Sequence, residues 1–219
     1  MEQETNKEVI VDQQDEKRPN EAGQLAISGH IKIFDPNTDE VIVDKRNAIH
    51  YENISEALAN SLANKTVGQI YSMAFGNGGS SVDPTGVITY LPPNTTGQNA
   101  NLYNPTYAKV VDDNSSANTD TSRNNLTVTH TTGKVYTDIL VSCLLDYGEP
   151  SGQQAFDNST DFNGDYVFDE LGLKTWNGSA TELRLITHVI FHPVQKSLNR
   201  QIQIDYTVRI QTLTNLSAT

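Results

Sequence analysis

The sequence predicts a mainly β fold: an antiparallel β-sandwich or barrel-like domain with one α-helix, long loops and an extended N-terminal arm. Three observations carry this. Apolar and polar residues alternate at period two in several separate runs, the signature of strands with one buried face. Clusters of Pro, Gly, Asn and Asp punctuate those runs as turns do. Only one segment has helical spacing. The 219 residues divide into an arm over 1–23, one β-rich domain over 24–213 and a frayed tail over 214–219. A chain of this length buries a core without staples.

Residues 1–23 mix acids and bases, and Val9, Ile10 and Val11 are their apolar patch. The segment reads as a disordered arm, or as a strand that orders against a neighbouring subunit through those three residues. Residues 25–34 alternate, with Ile27, Gly29, Ile31 and Ile33 on one face. Turn residues 35–39 then return the chain into Val41-Ile42-Val43 as a hairpin. The helix follows, with Asn53 or Ser55 as cap, Ile54, Leu58 and Leu62 as a narrow stripe, and an end near Asn64. His50, just before it, reads as structural or as an interface residue.

Strands are expected at 70–75, 106–111 and 126–130. Residues 135–147 are apolar on both faces, which predicts a central strand covered on both sides. After the 148–152 break come a short strand at 170–176, an alternating run at 182–192 and the cleanest alternation, at 201–212. In the last, Ile202, Ile204, Tyr206, Val208 and Ile210 point inward; the two C-terminal strands are expected to pair as a hairpin.

The stretch 66–113 organises the chain. A short strand ending in Phe75 runs into Gly76-Asn77-Gly78-Gly79 and then into a long Pro- and Asn-rich connection. The glycines are not a phosphate cradle: Asp83-Pro84 follows in place of a helix, and no Gly-Lys-Ser/Thr ending is present. Glycine's freedom at positive φ predicts a sharp turn at the strand end. Loops this long are uncommon unless functional or disordered, and contact with a neighbouring subunit is the expected work.

The run Met73-Ala-Phe-Gly-Asn-Gly-Gly79, with Asp83-Pro84-Thr85-Gly86 and Thr89-Tyr-Leu-Pro-Pro-Asn94, resembles virion structural proteins of tailed bacteriophages. Asp44-Lys-Arg-Asn-Ala-Ile-His-Tyr51 and Ile139-Leu-Val-Ser-Cys-Leu-Leu-Asp-Tyr-Gly148 add to the likeness, which covers most of 24–213. It implies a structural subunit of the virion without fixing its place among neck, tail, baseplate and capsid; the polar loops and arm, suited to bridging ring-forming proteins, favour the neck or collar or the tail, with a capsid decoration protein as the rival. Such a subunit acts through contacts with its own copies and with other virion proteins. The contact residues expected are Val9, Ile10, Val11, Phe75, Asn77, Tyr90, Tyr103, Tyr107 and Trp176.

Chemistry is sparse. No Ser/His/Asp, Cys/His or paired-carboxylate motif stands out, so no catalytic residue is assigned. Cys143 lies in an apolar run and reads as a buried thiol. His188 and His192 are about 13 Å apart on a straight strand, too far to share a metal. Acids recur at Asp157, Asp161, Asp165, Asp169 and Glu170. Asp161, Asn163 and Asp165 match the first three ligand positions of an EF-hand Ca²⁺ loop, but Gly164 stands two places early and no Glu occupies the twelfth. No cofactor is therefore assigned; a Ca²⁺- or carbohydrate-binding β-sandwich, with Trp176 as stacking platform, is the other reading. The net charge of −12 argues against a nucleic-acid partner. No apolar run approaches the roughly 18 residues of a membrane span.

Overall fold

The computed structural model describes residues 24–151 and 167–213. Two antiparallel sheets face each other across one apolar core, and neither closes into a barrel. The strands are β1 (Gln24–Phe34), β2 (Val41–Arg46), β3 (Ala48–Ile49), β4 (Ile70–Gly76), β5 (Ser80–Val82), β6 (Ile88–Tyr90), β7 (Pro105–Val110), β8 (Asn125–His130), β9 (Tyr136–Leu145), β10 (Val167–Thr175), β11 (Arg184–Leu185), β12 (Thr187–Gln195) and β13 (Ile202–Leu213). The front sheet has the order β2-β1-β13-β9-β8. The back sheet runs β3-β12-β10-β4-β7, with β11 beside β10, and β5-β6 form a separate ribbon.

The strongest alternation made the central front strand. β13 sits between β1 and β9 and buries Ile202, Ile204, Tyr206 and Val208, while its other face holds Gln203, Asp205 and Thr207 half-buried. The expected C-terminal hairpin does not form. β12 pairs with β10 and β3 in the back sheet, and β13 with β1 and β9 in the front. The reason lies in the faces: Thr187–Phe191 are buried on both sides, which the back sheet provides, whereas β13 keeps one polar side. β9 is an interior strand as expected. Val141, Cys143 and Leu145 are fully buried on its inner face; on the outer face Leu144 is buried and Leu140 half-buried.

Residues in register across the front sheet form rows on its inner face. Ile31, Tyr206, Val141 and Leu126 are one row, buried except for half-buried Leu126. The next is Gly29, Val208, Ile139 and Val128, and Val128 is already 67% exposed. Ile27, Ile210, Thr137 and His130 follow, half-buried or exposed. Beyond them Leu25 is 52% and Val135 54% exposed. The front sheet therefore overhangs the back one.

The helix α1 (Tyr51–Leu62) starts earlier than expected, because His50 caps it: its Nδ1 accepts the Asn53 N–H at 3.2 Å. Asn53 is not the cap; its buried amide reaches back to the Leu185 carbonyl at 2.8 Å. Ile54 and Ala57 pack into the core, Leu58 lies against it, and Leu62 is exposed. The stripe is thus shorter than its spacing implied.

Cys143 is enclosed by this packing, and burial pushes its thiol up to about 12, with Lys109 offsetting part of the rise. At about pH 8 the native protein is expected to leave Cys143 unmodified by a thiol reagent, and the unfolded chain to react fully. Equal rates in the two states would contradict this packing.

Candidate functional site

The back sheet is buried on both faces, and its outer cover is irregular chain. Gly172, Ala74, Glu170, Gly76, His188 and Ile190 lie on that outer face by register. Residues 77–104 run across it, with Leu102 packed beside Ala74 and Leu185. A loop laid on a sheet face needs partners for its backbone N–H groups. Two neighbouring carboxylates of β10, at a register shift between Phe168 and Glu170, provide them.

Glu170 is fully buried. Its Oε1 accepts the N–H groups of Gly78 at 3.1 Å and Asn104 at 2.8 Å. Its Oε2 accepts Tyr103 N–H at 2.9 Å and His188 Nε2–H at 3.0 Å. His188 is oriented from its other nitrogen, since Asn94 N–H donates to Nδ1 at 2.8 Å. Asp169 accepts Gly79 N–H at 2.9 Å on Oδ1, and on Oδ2 the Ser80 N–H at 2.7 Å and hydroxyl at 2.5 Å. Burial by itself raises the Glu170 carboxyl, but the hydrogen bonds from His188, Asn104, Tyr103 and Gly78 outweigh it and hold it below its ordinary value.

This arrangement corrects the role given to the glycines. Gly76, Gly78 and Gly79 are not at positive φ, unlike Gly68, Gly86 and Gly97. They are needed for closeness. A Cβ on Gly76 would lie 2.5 Å from Glu170 Oε1, and one on Gly78 2.7 Å from the Asn104 nitrogen. The N–H groups of Gly78, Gly79 and Ser80, which a phosphate cradle would offer, already bind the chain's own carboxylates.

Held on this base, the segment presents apolar side chains outward. Val82 is 52% exposed in β5 and Val87 58% exposed in the turn that leads into β6, and Tyr90, Leu91 and Tyr103 are exposed further along the segment. Asp83 ties the ribbon's turn by accepting Thr85 and Val87 N–H groups. Tyr103 donates to the Pro92 carbonyl at 2.6 Å, and the Tyr90 hydroxyl lies 3.2 Å from His192 Nδ1. Further along, His50 Nε2 reaches the Gly97 carbonyl at 3.0 Å and Arg184 donates to Asn99 at 2.6 Å.

The predicted contact residues separate on this frame. Tyr90 and Tyr103 lie on the exposed segment. Asn77 is half-buried and accepts from the Asn104 side-chain amide at 2.6 Å. Phe75 belongs to the core, against Phe168 and Tyr107, so its side chain is not on the surface; Tyr107 is half-buried. Trp176 is half-buried against Tyr71, with ring centroids 4.8 Å apart. Val9, Ile10 and Val11, and the Ca²⁺ candidates Asp161, Asn163 and Asp165, lie outside the described residues. From the same acidic run, Asp169 and Glu170 face N–H and O–H donors. His188 and His192 go to separate partners, Glu170 and Tyr90.

A second polar site lies at the far end of β7. Lys109, Asp120, Arg123, Asp146 and Glu149 line a cleft of about 520 Å³. Its charges are paired: Lys109 with Glu149, and Arg123 with Asp120 and Asp146.

The pairing of Glu170 with His188 was missed in the sequence. One signal was present: Asp169-Glu170 interrupts the apolar run Val167-Phe168 and Leu171-Gly-Leu173, and acids inside a buried strand require partners. No family model matches the chain, and comparisons with curated proteins and with solved structures find no match either.

Proposed function

We propose that this chain is a structural subunit of a tailed-bacteriophage virion, at the neck or collar or in the tail, acting through contacts with further copies and with other virion proteins. The phage assignment rests on the resemblance carried by residues 73–94 and 139–148. The mode of action rests on one observation. Val82, Val87, Tyr90, Leu91 and Tyr103 stand exposed on a single irregular segment, yet that segment is fastened to the back sheet by buried carboxylates. Five large apolar side chains exposed along one fastened segment suit contact with a partner, and a segment held in place before binding loses less entropy on docking.

The test is Val82→Asp with Val87→Asp, carried on the genome of the source phage. Both side chains point to solvent, so the fold should survive. Interface anchors are worth about 2 kcal/mol or more, so incorporation into particles should fall by about thirtyfold or more. Normal incorporation, read by mass spectrometry of purified particles, would overturn the reading. Recovery of the unaltered protein on capsids free of tails would favour the decoration role.

A further inference from the structure

We propose that the chain's own residues 8–12 add as a strand to the free edge of β8 and lay Val9 and Val11 on the overhanging inner face of the front sheet. This inference is independent of the virion reading.

The acceptor is defined by two features. The first is the uncovered end of the inner face, where Val128, Val135 and Leu25 are each more than half exposed and Ile27, Ile139 and Ile210 are half-buried. The second is the edge of β8. It pairs only with β9 among the described residues, and its other side carries no ladder. Sheet edges are ordinarily guarded by charge, proline or brevity. β2 has Asp44, Lys45 and Arg46, β7 has Pro105 and Lys109, and β3 has two residues. β8 reads Asn125-Leu-Thr-Val-Thr-His130, with no Lys, Arg, acid or Pro. Its His130 reaches across to β9, with Nδ1 3.0 Å from the hydroxyl of its register partner Thr137.

The occupant follows from where the chain enters. β1 begins at Gln24, in the register of Leu213 at the overhanging end. Val9-Ile10-Val11 is β-branched throughout, and in a strand Val9 and Val11 share one face. From β1 to a strand added outside β8 is four strand spacings, about 19 Å. The eleven residues 13–23 span up to about 40 Å. The tether therefore reaches with slack, and a segment so tethered outcompetes a free copy by effective concentration. In the added position one of Val9 and Val11 extends the row that ends at Val128 and the other an adjacent row, and the outward amides of β8 gain carbonyl partners.

Hydrogen exchange on the full-length chain tests this, comparing the unaltered protein with Val9→Asp/Val11→Asp. The expected result is slow exchange at alternate amides over 125–130 in the unaltered protein, at least about tenfold faster in the variant. β13 amides should not change, which controls for folding. Protection should not vary with protein concentration. Equal exchange over 125–130 in the two proteins overturns the proposal. Protection that appears only as concentration rises also overturns it and assigns the face to a second copy.

Discussion

Glu170→Gln is expected to destabilise the protein by about 3 kcal/mol, the scale of breaking a buried, hydrogen-bonded charge from one side. The substitution keeps size and shape but turns one acceptor oxygen into a donor. Either orientation fails. An NH₂ at the Oε1 position faces the Gly78 and Asn104 N–H groups, and at Oε2 it faces Tyr103 N–H and His188 Nε2–H. Each buried donor left without an acceptor costs about 1–3 kcal/mol. Urea unfolding of the two proteins measures the difference. It should also depend on pH. The carboxyl is held below its ordinary 4.5 in the folded state. Its contribution is therefore complete above the unfolded value and is lost as pH falls through the lower, folded one. The gap between the proteins should be constant near neutrality and narrow in the acid range below 4.5. A gap that widens on acidification would mean that the carboxyl is held in its protonated form.

Gly76→Ala is the second large effect, at about 3 kcal/mol, the upper range for forcing volume into a packed site. The added methyl would sit 2.5 Å from Glu170 Oε1 and 2.6 Å from the Asn104 carbonyl oxygen. Neither can yield: the carboxylate is fixed by four donors, and the carbonyl is backbone that accepts Asn77 N–H at 3.2 Å. Gly86→Ala is the informative partner. Nothing lies within 4 Å of its Cβ position, and the sole obstacle is φ of +87°. Left-handed backbone costs an alanine about 1 kcal/mol. Thermal or urea unfolding should rank Gly76→Ala well below Gly86→Ala. The reverse order would mean that these glycines serve turns and not the approach of the loop to β10.

What was legible in the chain was whatever local periodicity controls. Alternation placed β1, β9 and β13 and the inward set Ile202 to Val208. It could not assign β12 and β13 to sheets, because pairing depends on which faces other segments cover. The helix was legible from Ile54 and Leu58, but its cap was not: His50 is a less common cap than Asn53, and Asn53 was drawn to the distant Leu185 carbonyl. The glycine cluster was located, yet its reason was hidden. The atoms that exclude a Cβ come from Glu170 and Asn104, distant in sequence from Gly76. The exposed surface was half legible. Tyr90 and Tyr103 emerged on it; Phe75, from the same stretch, was claimed by the core.

The proposed mode of action has this chain present a preformed surface to other subunits. Light scattering on the purified full-length protein, alone and then mixed with components of the particle, tests it most directly. The expected result is a defined multiple of the 24.1 kDa chain mass, or a monomer that assembles on mixing, with Val82→Asp/Val87→Asp abolishing either. A monomer that stays inert towards particle components, and instead binds Ca²⁺ or a glycan, would contradict it.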